Sequence, residues 1–265
     1  MKTKRIRLIA SILLVLSTVI LIGNTANYTR AALNIKSDPY ISTLEMYDIG
    51  ITLNENEKAI AHRDYLGDNE WDWVEDELLS HIENFRYGED YEERLSVTNS
   101  GKIDTYVRVT IQRYWLDAEG NKDMTLDPSY IDLHFVNEDK WIRDAQYSYD
   151  PEKKIYHEQT VLYYTEPLKG MASAKDAKDR TTELFADTLT INGDIKKYYK
   201  QTKEKDANGN TIVTNVYTYD GKKFCLDIKA DAVQTHSPEQ AILSAWGRKV
   251  KIDETTKKLS LEEEN

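Results

Sequence analysis

The chain has 265 residues, of which 46 are acidic and 35 are basic, so its formal net charge is −11. This acidic balance argues against binding to nucleic acid or to anionic lipid, since both need a basic protein surface. The single cysteine, Cys225, excludes an internal disulfide, so stability must come from core burial, which a chain of this length can supply.

The N-terminus has the pattern of a secretory signal peptide, predicted over residues 1–31. Basic residues at positions 2–7 precede an uncharged run at 8–23, and small residues follow. The run is short for a membrane span, which favours cleavage over a retained anchor. The cleavage region comprises Thr29, Ala31 and Ala32. Cleavage after residue 31 removes five basic and no acidic residues, which changes the net charge from −11 to −16.

The next part of the chain predicts broken strands and then a helix. Residues 33–54 carry weak strand patterns, interrupted by Pro39 and by a turn or bulge at Gly50. Over residues 68–85, apolar side chains recur at helical spacing opposite acidic ones, which predicts an amphipathic helix inserted on the sheet. These apolar residues are Trp71, Val74, Leu78, Ile82 and Phe85.

The stretch from Leu95 to Leu116 gives the clearest strand signal. Residues 99–102 separate its two halves, and Gly101 can adopt the positive φ of a tight reversal, so the stretch is predicted to be a β-hairpin. The second half alternates, and one set of side chains is expected to face the core: Val107, Val109, Ile111, Arg113 and Trp115.

Two helical segments are expected later in the chain. Asp127 can cap a helix and Pro128 suits its first position, which predicts one or two helical turns. Ser237 as N-cap, Gln240 completing a capping box and Gly247 as terminator predict a longer helix.

Further strands are predicted at residues 155–168 and 184–191, and residues 196–210 are interpreted as a polar loop. Asp220-Gly221 lies between two alternating runs and predicts a second hairpin. One face of its second arm carries Phe224, Leu226, Ile228, Ala230 and Ala232.

About eight strands with two or three peripheral helices predict an all-β fold, a jelly-roll-like antiparallel β-sandwich. We expect a single domain over residues 32–252, with the helical insertion at about 68–85. Residues 253–265 are predicted to form a charged, disordered tail.

The sequence contains no recognisable catalytic motif. The five histidines, His62, His81, His134, His157 and His236, lack the spacing of a zinc protease, and His81 is interpreted as a rim residue. Cys225 lies in a strand pattern and is interpreted as a small buried residue rather than a nucleophile. We therefore assign no catalytic, cofactor-binding or metal-ligating residue.

Two loops offer alternating oxygen ligands of the kind that calcium prefers. They run from Asp117 to Asp123 and from Asp206 to Asn210. Both lack the length and the final glutamate of an EF-hand, and ordinary hairpin turns have the same composition. We therefore expect both loops to be ordinary turns, and calcium binding is the weaker expectation.

Several of the 18 tyrosines fall on polar strand faces, namely Tyr106, Tyr114, Tyr217 and Tyr219. Tyrosines in such positions pair across strands or form a contact surface for a partner.

Two groups of motifs resemble a family of secreted proteins. The first group runs from the Gly-Glu-Asp at residue 88 into a strand and comprises Leu95, Val97, Asn99, Gly101, Tyr106, Arg108 and Val109. The second, late in the chain, comprises Ala230, Ala232, Val233 and Gln234, followed by a helix that ends in Ala245-Trp246. With the signal peptide, this order resembles the TasA/camelysin family of Gram-positive bacteria, whose signals are processed by a SipW-type signal peptidase.

The resemblance implies a jelly roll and an extracellular role in the biofilm matrix. Matrix members of the family assemble into fibres by donating an N-terminal strand to the next subunit, a form of β-augmentation. The candidate donor segment here carries Leu33, Ile35, Ile41, Leu44 and Met46. An ordinary edge strand of its own domain is the alternative, and Pro39 interrupts the segment.

We therefore expect a secreted, non-enzymatic structural protein of the biofilm matrix or cell surface, which self-associates or binds other matrix proteins. Signal peptidase is its partner during export, and membrane contact is expected only through the uncleaved signal. The alternatives are a camelysin-like secreted metal-dependent protease, for which no residue can be transferred, and a monomeric surface adhesin or binding module with tyrosine-rich faces.

Overall fold

A computed structural model describes residues 49–67, 70–145, 158–197, 199–205 and 211–263. All of them belong to one compact unit, Met46–Asn265. The predicted signal peptide, the candidate donor segment and the calcium-like loop at 206–210 lie outside the described residues.

Strands make up most of the regular structure in the described chain. In order they are β1 (Gly50–Glu55), β2 (Lys58–Gly67), β3 (Glu70–Glu75), β4 (Asp90–Thr98), β5 (Thr105–Leu116), β6 (Lys122–Asp123), β7 (Ile131–Phe135), β8 (Trp141–Arg143), β9 (Gln159–Tyr164), β10 (Ala186–Ile191), β11 (Tyr199–Lys205), β12 (Thr211–Tyr217), β13 (Lys223–Gln234), β14 (Val250–Ile252) and β15 (Leu259–Leu261). Helix α1 covers Pro238–Trp246, and 3-10 helices cover Pro128–Tyr130, Ala177–Arg180 and Gly193–Lys197.

The larger strands form two antiparallel sheets that pack face to face. The first sheet has the order β3-β2-β1-β4-β10-β7, and the second has the order β13-β5-β9-β8 with β6 beside the end of β5. The chain changes sheet between β4 and β5, on either side of β7, and again on either side of β10. This alternation is typical of jelly rolls, and the predicted all-β sandwich is confirmed.

The main core lies between the two sheets. β5 contributes Val107, Val109, Ile111 and Trp115, which are at most 1% exposed, as the alternation predicts. Opposite them lie Leu95 and Val97 of β4 and Leu133 of β7. Arg113 shares the inner face, where its guanidinium donates to the carbonyl oxygen of Ile131 at 3.0 Å.

A second apolar cluster covers the outer face of the second sheet. It joins β5, β9 and β13 to α1 and the β14–β15 pair through Tyr106, Val161, Tyr163, Val233, Ile242, Val250 and Leu259. Tyr106, predicted to lie on a polar strand face, is therefore buried. The predicted disordered tail is wrong as far as residue 263, because β15 pairs with β14 and buries Leu259.

The predicted hairpin at residues 95–116 is wrong. β4 and β5 are both strands, but they lie in opposite sheets, and the connection between them crosses the sandwich. Asn99 organises this crossing because its side chain accepts from the amide of Gly101 and donates to the carbonyl of Ile103.

The predicted helix at 68–85 is also wrong. Residues 70–75 form β3, which pairs with β2, and the chain then continues through turns to residue 88. The apolar spacing of this stretch fits a helix, but the pairing of β3 along β2 outweighs that local preference.

Residues 196–217 differ from their interpretation as a polar loop followed by one arm of a hairpin. β11 and β12 pair with each other through seven register positions and form a separate two-stranded arm, in which every residue is exposed. Gly221 takes a positive φ of 74° in a turn, but this turn joins β12 to β13 of the second sheet rather than closing a hairpin.

Both predicted helical segments are present. Asp127 accepts a hydrogen bond from the amide of Ser129 and caps the 3-10 turn at Pro128–Tyr130. Helix α1 ends at Gly247, whose φ is 69°. The predicted capping box is wrong, because Ser237 has a φ of 47° and its side chain makes no capping hydrogen bond.

Candidate functional site

An open cleft lies at one end of the sandwich, where the two sheets differ in width. β2 and β3 extend the first sheet past β1, whereas the second sheet ends at β13 within the described chain. The cleft between these outer strands has a volume of about 790 Å³. One wall comes from β1, β2, β3 and the turn that follows, and the other from residues 225–230 of β13.

The walls of the cleft are largely apolar. The first sheet contributes Ile51, Leu53, Ile60, Ala61 and Val74, and β13 contributes Leu226, Ile228 and Ala230. Val74 is 43% exposed, and its register partner His62 alternates with Ala61, so Val74 lies on the face of the sheet opposite to Leu53 and Ala61, at the open edge of β3. Charged residues border these side chains, so the cleft is an apolar trough with a polar rim: Arg63, Glu75, Asp76, Glu77, Asp227 and Lys229.

The backbone of β13 lies along one side of the cleft. β13 is 12 residues long and pairs with β5 along its whole length, but no other described strand pairs with its outer edge. In an antiparallel strand paired on one side, every second residue directs its N–H and C=O groups away from the partner. Six consecutive residues border the cleft, which indicates that the edge of β13, and not only one of its faces, is accessible there.

The sheet edges on the far side of the sandwich are shorter and border a smaller space. β7 and β8 end the sheets at the far side, with five and three residues. The space between them is about 330 Å³, and there the Arg143 guanidinium lies over the Phe135 ring at 4.6 Å. Among the described edges, β13 is therefore the one that combines length with an adjoining apolar trough.

The single cysteine is part of this site. Cys225 is half-buried at the rim of the cleft, beside Tyr114 of β5 in the strand register. A hydrogen bond with the thiol, together with burial, raises the pKa of Tyr114 to about 12. Because Cys225 pairs with Tyr114, it lies on the outer face of the second sheet, where β13 borders the cleft.

The candidate calcium loop at 117–123 uses its carboxylates internally. Asp117 accepts from the amide of Asn121 at 2.8 Å, and Asp123 pairs with Lys222 and accepts from Thr125. This is a tight turn between β5 and β6, with Gly120 at a φ of 86°. Calcium binding at this loop stays a prediction.

The predicted polar-face tyrosines have different surroundings. Tyr106 is 1% exposed in the outer cluster, and its hydroxyl donates to the carbonyl of Lys257. Tyr217 and Tyr219 pack against each other with ring centres 5.3 Å apart, and Tyr219 also contacts Tyr87. The cross-strand ring partner of Tyr217 is Tyr199, its register partner in β11, with ring centres 5.9 Å apart.

Sequence reasoning missed the cleft. Its lining residues come from three strands of the first sheet and two of the second, β5 and β13, and nothing local marks β13 as an edge. Comparisons with protein families, with curated proteins and with solved structures find no match for the chain. No helix in the described ranges is long and apolar enough to cross a membrane.

Proposed function

We propose that this protein is an exported, non-enzymatic structural subunit that assembles by donating its N-terminal segment, residues 33–46, to the β13 cleft of a second copy. The observation that carries the proposal is the unpaired edge of β13 beside an apolar trough. An additional strand there would gain main-chain hydrogen bonds from the edge and bury side chains against β1, β2 and β3.

The segment has the dimensions that such a strand needs. Residues 225–230 offer an edge of about 20 Å at ~3.4 Å per residue, which a strand of six or seven residues would cover. Pro39 divides the segment into two runs of that length, and each run has apolar side chains at alternate positions. Leu33 and Ile35 belong to the first run, and Leu44 and Met46 to the second.

Chain length favours donation to a second copy over self-occupation. Only residues 47–49 separate the segment from β1, which is a strand of the opposite sheet. Packed sheets lie about 10 Å apart, and so short a connection spans about 10–14 Å when fully extended, which leaves nothing for a reversal. Export fits the proposal, because signal cleavage near Ala31 would free the segment's N-terminus.

The test compares the form 32–265 with a form that begins at Tyr47. Light scattering and negative-stain microscopy over several days are expected to show assemblies of the longer form only, while circular dichroism shows that both are folded. Alkylation of Cys225 is expected to slow in the assembled form. Assembly of both forms, or lasting monomers of both, would overturn the proposal.

A further inference from the structure

Three ionisable side chains converge beneath the turns that connect β3 to β4. They are Glu55 at the end of β1, His81 from the connecting segment and Glu93 of β4. One possible ligand atom from each lies within 4.8 Å of the others. The Nδ1 atom of His81 is 3.7 Å from a Glu55 oxygen, and its Nε2 atom is 4.0 Å from a Glu93 oxygen.

Glu93 is the least satisfied side chain of this cluster. It is 0% exposed, and no N–H or O–H group of the described chain donates to either of its carboxylate oxygens. Its only described ion pair is the long contact with His81. Two buried carboxylates side by side need a proton or a cation between them.

The surroundings hold the other two groups in position. The amide of Leu79 donates to a Glu55 oxygen at 2.7 Å. The Nε2 atom of His81 lies 3.3 Å from the carbonyl oxygen of Glu92. When Nε2–H donates to this carbonyl, the lone pair of Nδ1 is left facing Glu55. Metal-binding histidines are usually oriented in this way by a carbonyl or a carboxylate.

We propose that Glu55, His81 and Glu93 bind a divalent transition-metal ion, Zn²⁺, which fastens the segment between β3 and β4 to the first sheet. One imidazole nitrogen and two carboxylate oxygens form a ligand set that suits zinc, whereas calcium and magnesium prefer oxygen ligands alone. Tetrahedral zinc ligands lie about 3.4 Å apart, so one ligand atom from each residue, within 4.8 Å of the others, would need to move by about 1 Å to reach a common ion.

The site also offers access and a structural purpose. His81 is exposed, so an ion can enter from solvent and keep a water molecule as its fourth ligand. Residues 76–89 contain no helix and no strand, and a metal ion would supply the cross-link that regular hydrogen bonding does not. The ion would also neutralise the buried carboxylate pair.

Titration of chelator-treated protein with ZnCl₂ alone tests this proposal. Calorimetry is expected to give one site per chain and thermal unfolding a higher midpoint with zinc. His81→Ala and Glu93→Gln are expected to weaken zinc binding at least tenfold, whereas His134→Ala, an exposed histidine paired with Asp187, is expected to bind like the wild type.

Because Glu93 is buried, the Glu93→Gln variant is first checked for folding by circular dichroism. If Glu93→Gln is unfolded, zinc binding by His81→Ala, whose position is exposed, serves as the test instead. Absence of zinc binding by the wild type, or equal binding by His81→Ala, would overturn the site. A preference for Ca²⁺ over Zn²⁺ would overturn the choice of ion.

Discussion

Arg248 and Asp144 form a buried ion pair that anchors the C-terminal strands. Their side chains are 8% and 0% exposed, and the Nε of Arg248 lies 2.8 Å from a carboxylate oxygen of Asp144. The guanidinium also donates to the carbonyl oxygen of Glu262 at 2.7 Å. This contact explains why the charged C-terminal residues are ordered, although their composition predicts a tail.

Removing one partner of this pair should be costly, because the other charge stays buried. We expect Asp144→Ala to lower the free energy of unfolding by about 3–5 kcal/mol, measured by urea denaturation. The matched control is Asp194→Ala, since Asp194 pairs with Lys197 on the surface and its loss should change stability by less than about 0.5 kcal/mol. Equal effects of the two substitutions would contradict this account.

Asp123 should make stability depend on pH in the acidic range. Burial alone would raise the pKa of Asp123, but Lys222 and Thr125 lower it to about 2. Since the folded-state pKa lies below the unfolded value, the stabilisation is present above about pH 4 and is lost as the pH falls towards 2. Asp123→Asn is expected to cost about 2 kcal/mol at pH 7.

The measurement for Asp123 is urea denaturation of wild type and Asp123→Asn at several pH values. The difference in unfolding free energy between the two proteins should shrink as the pH falls from 4 to 2. A difference that is constant across this range would show that the carboxylate charge is not the cause.

At the scale of elements, the connection between β4 and β5 shows where local patterns mislead. Both strands were predictable from their alternation, but the choice between a hairpin and a crossing depends on partners elsewhere in the chain. Asn99 is 0% exposed and bonds within the turn, and its amide also reaches the carbonyl of Leu168 at 3.3 Å. Such long-range contacts have no signature in the residues between the strands.

Asn99 should therefore be important for stability. Asn99→Ala removes the partner of the Gly101 amide and of the Ile103 carbonyl, and one of two donors to the Leu168 carbonyl, so we expect a loss of about 2–3 kcal/mol in the free energy of unfolding. Asn215→Ala in the exposed β11–β12 arm serves as control and should stay within about 0.5 kcal/mol of wild type. A loss below about 1 kcal/mol for Asn99→Ala would contradict the assigned role.

The β11–β12 arm should be dispensable for folding. Its residues are exposed on both faces, including Ile212, Val213 and Val216 at about half exposure. Replacing residues 200–216 by a short Gly-Ser linker is expected to leave the thermal unfolding transition cooperative and its midpoint within a few degrees. A broadened transition would show that the arm supports the sandwich.

The alternation of residues in β12 predicts a strand, but nothing in the sequence indicates that this strand pairs only with β11 within the described chain.

At the scale of the whole molecule, the class of fold was predictable and the candidate site was not. The alternation of apolar and polar residues along a strand indicates which side chains face the core. Together with the turn residues, it predicts a β-sandwich. They do not report which strand ends a sheet. The trough beside β13 exists because the first sheet is wider than the second, a property of the complete strand order. The Glu55, His81 and Glu93 cluster likewise joins residues from three separate parts of the chain.

The most direct test of the central claim mixes two variants that each lack one half of the donor–acceptor contact. One begins at Tyr47 and has no donor segment. The other keeps residues 32–265 but carries Ile228→Glu, which places a charge in the apolar trough. Circular dichroism and thermal unfolding first establish that both are folded.

Light scattering coupled to size-exclusion chromatography then gives the mass of each variant alone and of the mixture. Each variant alone is expected to be monomeric, and the mixture is expected to form a one-to-one complex, in which the intact segment of one variant fills the intact cleft of the other. A mixture that stays monomeric, or variants that assemble alone like the wild type, would contradict it.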